Sequence, residues 1–320
     1  LNRYNGEING YFICDRGRFG YEFVNSTSRI RKVTRKSNGN FEPVSKKEIL
    51  DSLQHLFNSG KKIIGIGSPR ASIESNFALR TLVGPRNFYQ GFSDREFKVV
   101  HTGLKILSQG TYKLPSLREC EKADAVLIMG EDITNTAPML ALAVRQAVRQ
   151  QPLETVQKMN IPLWHDAAAR ELIQDQHGPL FVATPAQTKL DEIATGSCRA
   201  TPLNIARLGF AVAHLIDHQA PTPAAGLSAA ERTLAAEIAR HLSAARNPLV
   251  IAGSSTGEES ILQSAANIAS ALSSEKRKAG LFLTFAESNS IGLGLLGGKA
   301  LTAAVDAEAE TVIILENDLY

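Results

Sequence analysis

A short apolar run, a glycine, a polar turn and an amphipathic helix follow one another several times along this chain. That unit constrains the fold more than any other feature. Its fullest copy is KKIIGIGSPRASIESNFALRTLVG, residues 61–84. Ile63 and Ile64 predict a strand buried on both faces, Gly65 and Gly67 a tight turn, and Pro69 a fixed φ. Ser72 is placed to cap a helix with apolar positions at Ile73, Phe77, Leu79, Leu82 and Val83, and Gly84-Pro85 stop it. The pattern returns at 123–148. There ADAVLIM leads into Gly130, a turn of Glu131, Asp132, Thr134 and Thr136, and a helix with Pro138 in its first turn. It returns once more as a strand over 248–252, Gly253, a Ser-Ser-Thr-Gly turn and a helix over 258–272. Three copies predict a doubly wound α/β architecture with mainly parallel sheets. In such folds polar ligands sit at the turn after a strand, because helix N–H groups point into the gap. The dipole alone establishes only that an anion could bind there, and a plain strand–helix connection is the other reading.

The rest of the chain fits around these units. At 320 residues it predicts two domains, or one large domain with an insertion. Residues 1–45 are polar and read as irregular structure with short strands at 21–24 and 31–34. Ile49, Leu50, Leu53, Leu56 and Phe57 then recur at helical spacing until Gly60. Further helices are expected over 95–108, 201–217, 229–245 (with Ser228 and Glu231 as a capping box) and 301–305. Strands are expected over 179–184, 281–285 and 311–315. QAPTPAAG, residues 219–226, reads as a hinge or domain crossing.

Composition excludes several function classes. A net charge of +3 does not by itself indicate nucleic acid, and no apolar run approaches bilayer-spanning length. Positive charge is uneven: RIRKVTRK, residues 29–36, places five cations in eight positions, as a solvated face or as a surface for an acidic partner. Cys14, Cys120 and Cys198 are odd in number and far apart, which points to a reducing compartment rather than a disulfide framework. The chain opens on Leu1 with no signal peptide, and reads as a piece of a longer polypeptide.

Other motifs are weaker. GLGLLG, residues 292–297, matches G-x-G-x-x-G, but six residues separate it from the preceding strand, so nicotinamide or flavin binding is not expected there. Lys299 comes one residue late for a phosphate loop. His214 and His218 could share a helix face, yet no second ligand pair stands nearby. His165-Asp166 has no nucleophile motif beside it. Cys14 alone reads as a buried thiol; as a ligand of an iron–sulfur cluster it needs three partners, and neither Cys120 nor Cys198 is close in sequence.

The stretches LNRYNGEINGYFICDRGRFG, IGIGSPRASIESNFALRTLVG, ADAVLIMGEDITNTAPMLALAVRQAV and VIILENDL together resemble the G-subunit family of bacterial NADH:quinone oxidoreductase, respiratory complex I. The large domain of that family looks like the molybdopterin oxidoreductases such as formate dehydrogenase. The resemblance runs from Leu1 to Tyr320. It implies that Cys14 is the fourth ligand of a [4Fe–4S] cluster whose C-x2-C-x3-C partners lie upstream. It also implies a pterin-nucleotide cleft at Gly67, Ser68, Arg70 and Ser72 and at Gly253, Ser254 and Ser255. The implied layout is a cluster-region remnant over 1–45, a first α/β domain of 46–92 plus 226–320, and an inserted α/β domain of 93–225. Active molybdopterin enzymes present Cys, selenocysteine or Ser to the metal just beyond the first helix. Here residues 87–93 read NFYQGFS with no cysteine, and Ser93 stands in a helix-start context. The resemblance therefore implies a vestigial cleft with no molybdopterin and no catalytic residue. It implies an electron-transfer and structural role among the peripheral-arm subunits, on the cytoplasmic face of the inner membrane without insertion. The proton-translocating reaction would belong to the whole complex. The alternative is an active, formate dehydrogenase-like molybdopterin enzyme.

Overall fold

The computed structural model describes residues 3–222 and 226–319, so residues 223–225 of the expected hinge lie outside the described residues. Residues 3–45 hold two short helices, α1 (Asp15–Phe19) and α2 (Glu22–Asn25), and a hairpin of β1 (Thr34–Ser37) with β2 (Asn40–Pro43). The strand expected over 21–24 is thus a helical turn. Tyr21, Phe23 and Val24 are all exposed, so no buried face selects an extended alternation. A local bond from the Val24 N–H to the Tyr21 carbonyl (2.9 Å) closes the turn instead. The other early strand starts at Thr34 rather than 31. Asn38 and Gly39, at φ 48° and 86°, make the two-residue turn that sets its register.

The regular part follows as α3 (Lys46–Asn58), β3 (Ile63–Ile66), α4 (Ile73–Val83), β4 (Phe88–Tyr89), α5 (Asp94–Gln109), α6 (Leu117–Cys120) and β5 (Ala125–Met129). Then come α7 (Ile133–Thr136), α8 (Pro138–Lys158), α9 (Asp166–Ile173), β6 (Leu180–Thr184), β7 (Gly196–Arg199), α10 (Pro202–Ile216) and α11 (Ala229–Ala244). The chain ends with β8 (Pro248–Gly253), α12 (Glu259–Ala271), β9 (Gly280–Thr284), α13 (Ser290–Leu296), α14 (Thr302–Val305) and β10 (Thr311–Ile314). Helix starts follow the side chains that cap them. Ser45, Ser72 and Ser228 accept the N–H groups of Glu48, Ser75 and Glu231, and Glu231 accepts the Ser228 N–H in return.

Two compact units result, each built from two stretches of chain. The larger comprises Leu1–Phe12 and Arg95–Ile291, around a fully parallel five-stranded sheet in the order β7-β6-β5-β8-β9. Its three central strands, β5, β6 and β8, read as nearly continuous apolar runs because both faces are covered. Ala125, Leu127 and Met129 face the core built with α10, α11 and α12, while Val126 and Ile128 face the one built with α8. The smaller unit comprises Ile13–Asp94 and Gly292–Tyr320, around a parallel three-stranded sheet ordered β10-β3-β4.

This division differs from the expected one, which places β8 and β9 with residues 46–92. Instead β8 pairs along its length with β5, Ala125 opposite Pro248 through Met129 opposite Ala252, and β9 pairs with β8. The chain returns to the smaller unit at Gly292 rather than near 226. A buried strand accepts the neighbour that completes its ladder, and strand-by-strand reading does not say which neighbour that is.

The α4 face also differs. Asn76, Leu79 and Val83 are buried, whereas Phe77 and Leu82 are 54% and 55% exposed. Leu79 and Val83 pack onto the bare Cα of Gly65, where a Cβ would stand 2.9 Å and 3.1 Å from their side-chain atoms. The glycine in the strand thereby decides which helix face turns inward.

Candidate functional site

The residues singled out at the glycine turns fall into two corners, one in each unit. In the smaller unit the β3–α4 turn is bonded to its own helix. The Gly67 N–H donates to the Tyr89 carbonyl (2.8 Å) and the Ser68 N–H to Asn76 Oδ1 (3.0 Å). Asn76 Nδ2 donates back to the carbonyls of Ser68 (2.9 Å) and Ser72 (3.0 Å). Ser68 Oγ donates to the Glu316 carbonyl (2.8 Å) and accepts the Arg70 N–H (3.2 Å). From the C-terminal segment, Asn317 Nδ2 donates to the carbonyls of Gly67 (2.8 Å) and Gly91 (2.9 Å). Gly67 has no room for a side chain, since a Cβ would lie 2.5 Å from Asn76 Oδ1 and 2.8 Å from the Phe88 ring. Gly67 and Ser68 are buried, and Arg70 and Ser72 are exposed.

Asn76, Asn317 and Gln90 are residues that sequence reasoning misses. Asn76 is fully buried, and a signal for it exists: a carboxamide at a position spaced with Leu79 and Val83 on the inward helix face. Gln90, also fully buried, donates to the Leu293 carbonyl (2.7 Å) and carries no comparable signal.

The second corner lies in the larger unit at the topological switch point. The chain runs outward from β5 to β6 and β7 on one side and from β8 to β9 on the other. The crevice between the ends of β5 and β8 is where such sheets place ligands. It brings together Gly253, Ser254 and Ser255 with Gly130, Glu131 and Asp132. The Ser254 N–H donates to the Thr284 carbonyl (3.0 Å), and the Ser255 N–H to Glu131 Oε2 (3.2 Å). Asp132 takes the Thr134 N–H (3.1 Å) and the Asn135 amide (2.6 Å). Arg95 Nε donates to the Gly257 carbonyl (3.2 Å). The turn is oriented by neighbours on three elements.

Cys14 stands at the start of α1, half-buried. Cys120 and Cys198 are buried in the larger unit. Burial, then Glu119 and Glu121, pushes the Cys120 thiol up to about 12; burial, then Glu231, raises Cys198. Among the described residues no group of three or more His, Cys, Asp or Glu side chains could hold a metal ion. One thiolate does not complete the four-sulfur set of a [4Fe–4S] cluster, so the residues present do not fit a whole cluster. Residues 87–93 offer no thiolate, and Ser93 immediately precedes α5.

The remaining candidates have local explanations. His214 Nδ1 lies 2.9 Å from the Ala220 carbonyl, with the His218 ring edge-on to it. GLGLLG lies largely within α13 rather than in a turn after a strand. The basic run is exposed; Arg35 pairs with Glu48 (3.2 Å) and Lys36 lies over the Phe41 ring. No helix among the described residues is long and apolar enough to cross a membrane.

No family model matches the chain. Among curated proteins, the G subunit of NADH-quinone oxidoreductase from Pseudomonas fluorescens is 43% identical over the whole of this chain and 35% of the relative. The Pseudomonas putida protein of that name is 44% identical over the same shares, and that of Escherichia coli K12 is 42% identical over 36% of its length. Among solved structures, the formyltransferase/hydrolase complex of Methylorubrum extorquens, solved with methylofuran, superposes with a TM-score of 0.55 at 14% identity. That match covers 89% of this chain and 76% of the other, and it speaks to the fold alone. From one end to the other, then, this α/β chain matches the G subunit of NADH-quinone oxidoreductase, and it spans about a third of the length of those relatives.

Proposed function

We infer that the chain is part of an electron-transferring subunit of NADH:quinone oxidoreductase, built on a molybdopterin-enzyme-like body that no longer carries its cofactor. The observation that carries this reading is identity of 42–44% to the G subunits along the entire chain. In this reading Cys14 supplies the fourth thiolate of a [4Fe–4S] cluster whose other three ligands belong to the same polypeptide outside residues 1–320. When bound, such a cluster passes single electrons. The contribution of this chain is one sulfur and the α/β body behind it. Neighbouring subunits of the peripheral arm are its partners, on the cytoplasmic face of the membrane. Gly67, Ser68, Arg70 and Ser72, with Gly253, Ser254 and Ser255, are what remains of a pterin-nucleotide cleft.

Two features support the unused cleft. Positions 87–93 lack a metal-binding thiol, and the turn at Gly67 is bonded within the protein. Metal and pterin analysis of the full-length polypeptide tests the reading. Iron and sulfide at cluster stoichiometry, lost on Cys14→Ala, with no pterin, is the expected result. Stoichiometric molybdenum and pterin would reject it in favour of an active molybdopterin oxidoreductase.

A further inference from the structure

The switch-point crevice of the larger unit contains a group that the reading above does not use. Glu131 follows Gly130 at the end of β5 and is only 3% exposed, although its side chain is a carboxylate. Oε2 accepts the Ser255 N–H at 3.2 Å. Oε1 has no hydrogen-bond partner among the described residues. The side chain lies flat against Gly253, where a Cβ would fall onto its carboxylate carbon and Oε2. A buried carboxylate with an unmatched oxygen is costly and calls for a reason.

The position suggests one. After a buried strand and a glycine, the first backbone N–H groups of the next turn are what a phosphate would engage. Here one such donor in each turn, and one at the start of α12, already meets an acid of the chain. Glu131 holds the Ser255 N–H, Asp132 the Thr134 N–H, and Glu258 the Ser260 N–H (3.3 Å) at the start of α12. Both loops bordering the crevice, after β5 and after β8, are thus engaged by carboxylates. A phosphate brought there would lose its donors and face like charge at short range.

We propose that Glu131 is the built-in anion of this crevice: its carboxylate holds the place of a phosphate on the 253–257 turn, so the crevice rejects phosphate esters, and removing it creates a phosphate site. Asp132 and Glu258 cap their own helices, while Glu131 reaches across from the β5 end to the β8 end. It is therefore the residue that sets the ligand class. This gives the unused cofactor cleft, on whose reading the role of Glu131 rests, a specific chemical cause. Gly253 has a matching duty, since its missing side chain is the space the carboxylate fills.

The test titrates inorganic phosphate against the native protein and the Glu131→Ala variant, following the Ser255 amide by NMR. The native amide is expected to stay unmoved or shift without saturation. In Glu131→Ala it is expected to shift saturably, with affinity at least about tenfold above any native binding. Should the alanine variant not fold, Glu131→Gln keeps the volume and drops the charge, and must still bind more tightly than native. Phosphate binding of equal strength in native protein and variant, or absent from both, overturns the proposal. Those results leave the cofactor reading standing, because that reading fails only on pterin found in the native protein.

Discussion

Replacing Asn76 by alanine is the most direct probe of how the smaller unit holds its glycine corner. The side chain is fully buried and does three things at once: it accepts the Ser68 N–H and donates to the Ser68 and Ser72 carbonyls. Alanine leaves the Ser68 N–H buried without its acceptor, at about 1–3 kcal/mol, and removes two further bonds at about 0.5–1.5 kcal/mol each. Central values give about 4 kcal/mol, or nearly three powers of ten in the opening equilibrium. The two units need not unfold together, so one melting curve does not isolate the effect. Native-state hydrogen exchange of the α4 amides does.

An aspartate at the same place gives a second arm. Its oxygen still accepts the Ser68 N–H, but its charge faces two carbonyls, which raises its folded-state pKa. The cost of Asn76→Asp is therefore greatest at neutral pH and shrinks as pH falls and the carboxyl protonates. An alanine effect below about 0.5 kcal/mol, or an aspartate variant indifferent to pH, would refute the reasoning.

Gly253→Ala should destabilise the larger unit by about 2 kcal/mol or more by pressing on the Glu131 carboxylate; in a Glu131→Ala background most of that loss should vanish in a double-mutant cycle. A thiol alkylating agent at pH 8 should modify half-buried Cys14 first and leave Cys120, pushed up to about 12 by burial, unmodified until the chain unfolds; peptide mass analysis reads the order. Burial raises Asp191, but the Thr188 N–H and hydroxyl and the Arg199 guanidinium outweigh it and hold the carboxyl below its usual range. Stability from this group is therefore present above about pH 4 and lost as pH falls through the lower folded value. Asp191→Asn should cost about 2 kcal/mol at pH 7 and progressively less as pH falls through the lowered folded value, measured by exchange of the 188–199 amides.

Much of this architecture can be read residue by residue, where two local signals coincide. Ser45, Ser72 and Ser228 each precede a periodic apolar stretch, and each caps a helix. The runs at β5, β6 and β8 are buried throughout because helices cover both faces of their sheet. Where only one signal exists, reading fails. β7 buries Cys198 alone and is a strand because β6 offers it a ladder, a fact that lies in β6. β4 is two residues long and owes its pairing to β3. The Asn-Gly at 38–39 is a hairpin signal, but the polar sequence on either side carries no alternation to pair with it.

The site was legible to the same extent and for the same reason. Gly67 and Gly253 announce tight corners; what fills those corners comes from far along the chain. Gln90 reaches the Leu293 carbonyl 203 positions away, Asn317 reaches Gly67 across 250, and Ser68 meets the Glu316 carbonyl across 248. These bonds join the two chain segments of the smaller unit, together with the β3–β10 ladder. The carboxamides of Asn76 and Asn317 close the Gly67 corner with bonds inside the unit. In the larger unit a carboxylate does the equivalent work at Gly253. Two chemically different fillings, carboxamides in one corner and an acid in the other, close both turns with groups from the chain itself.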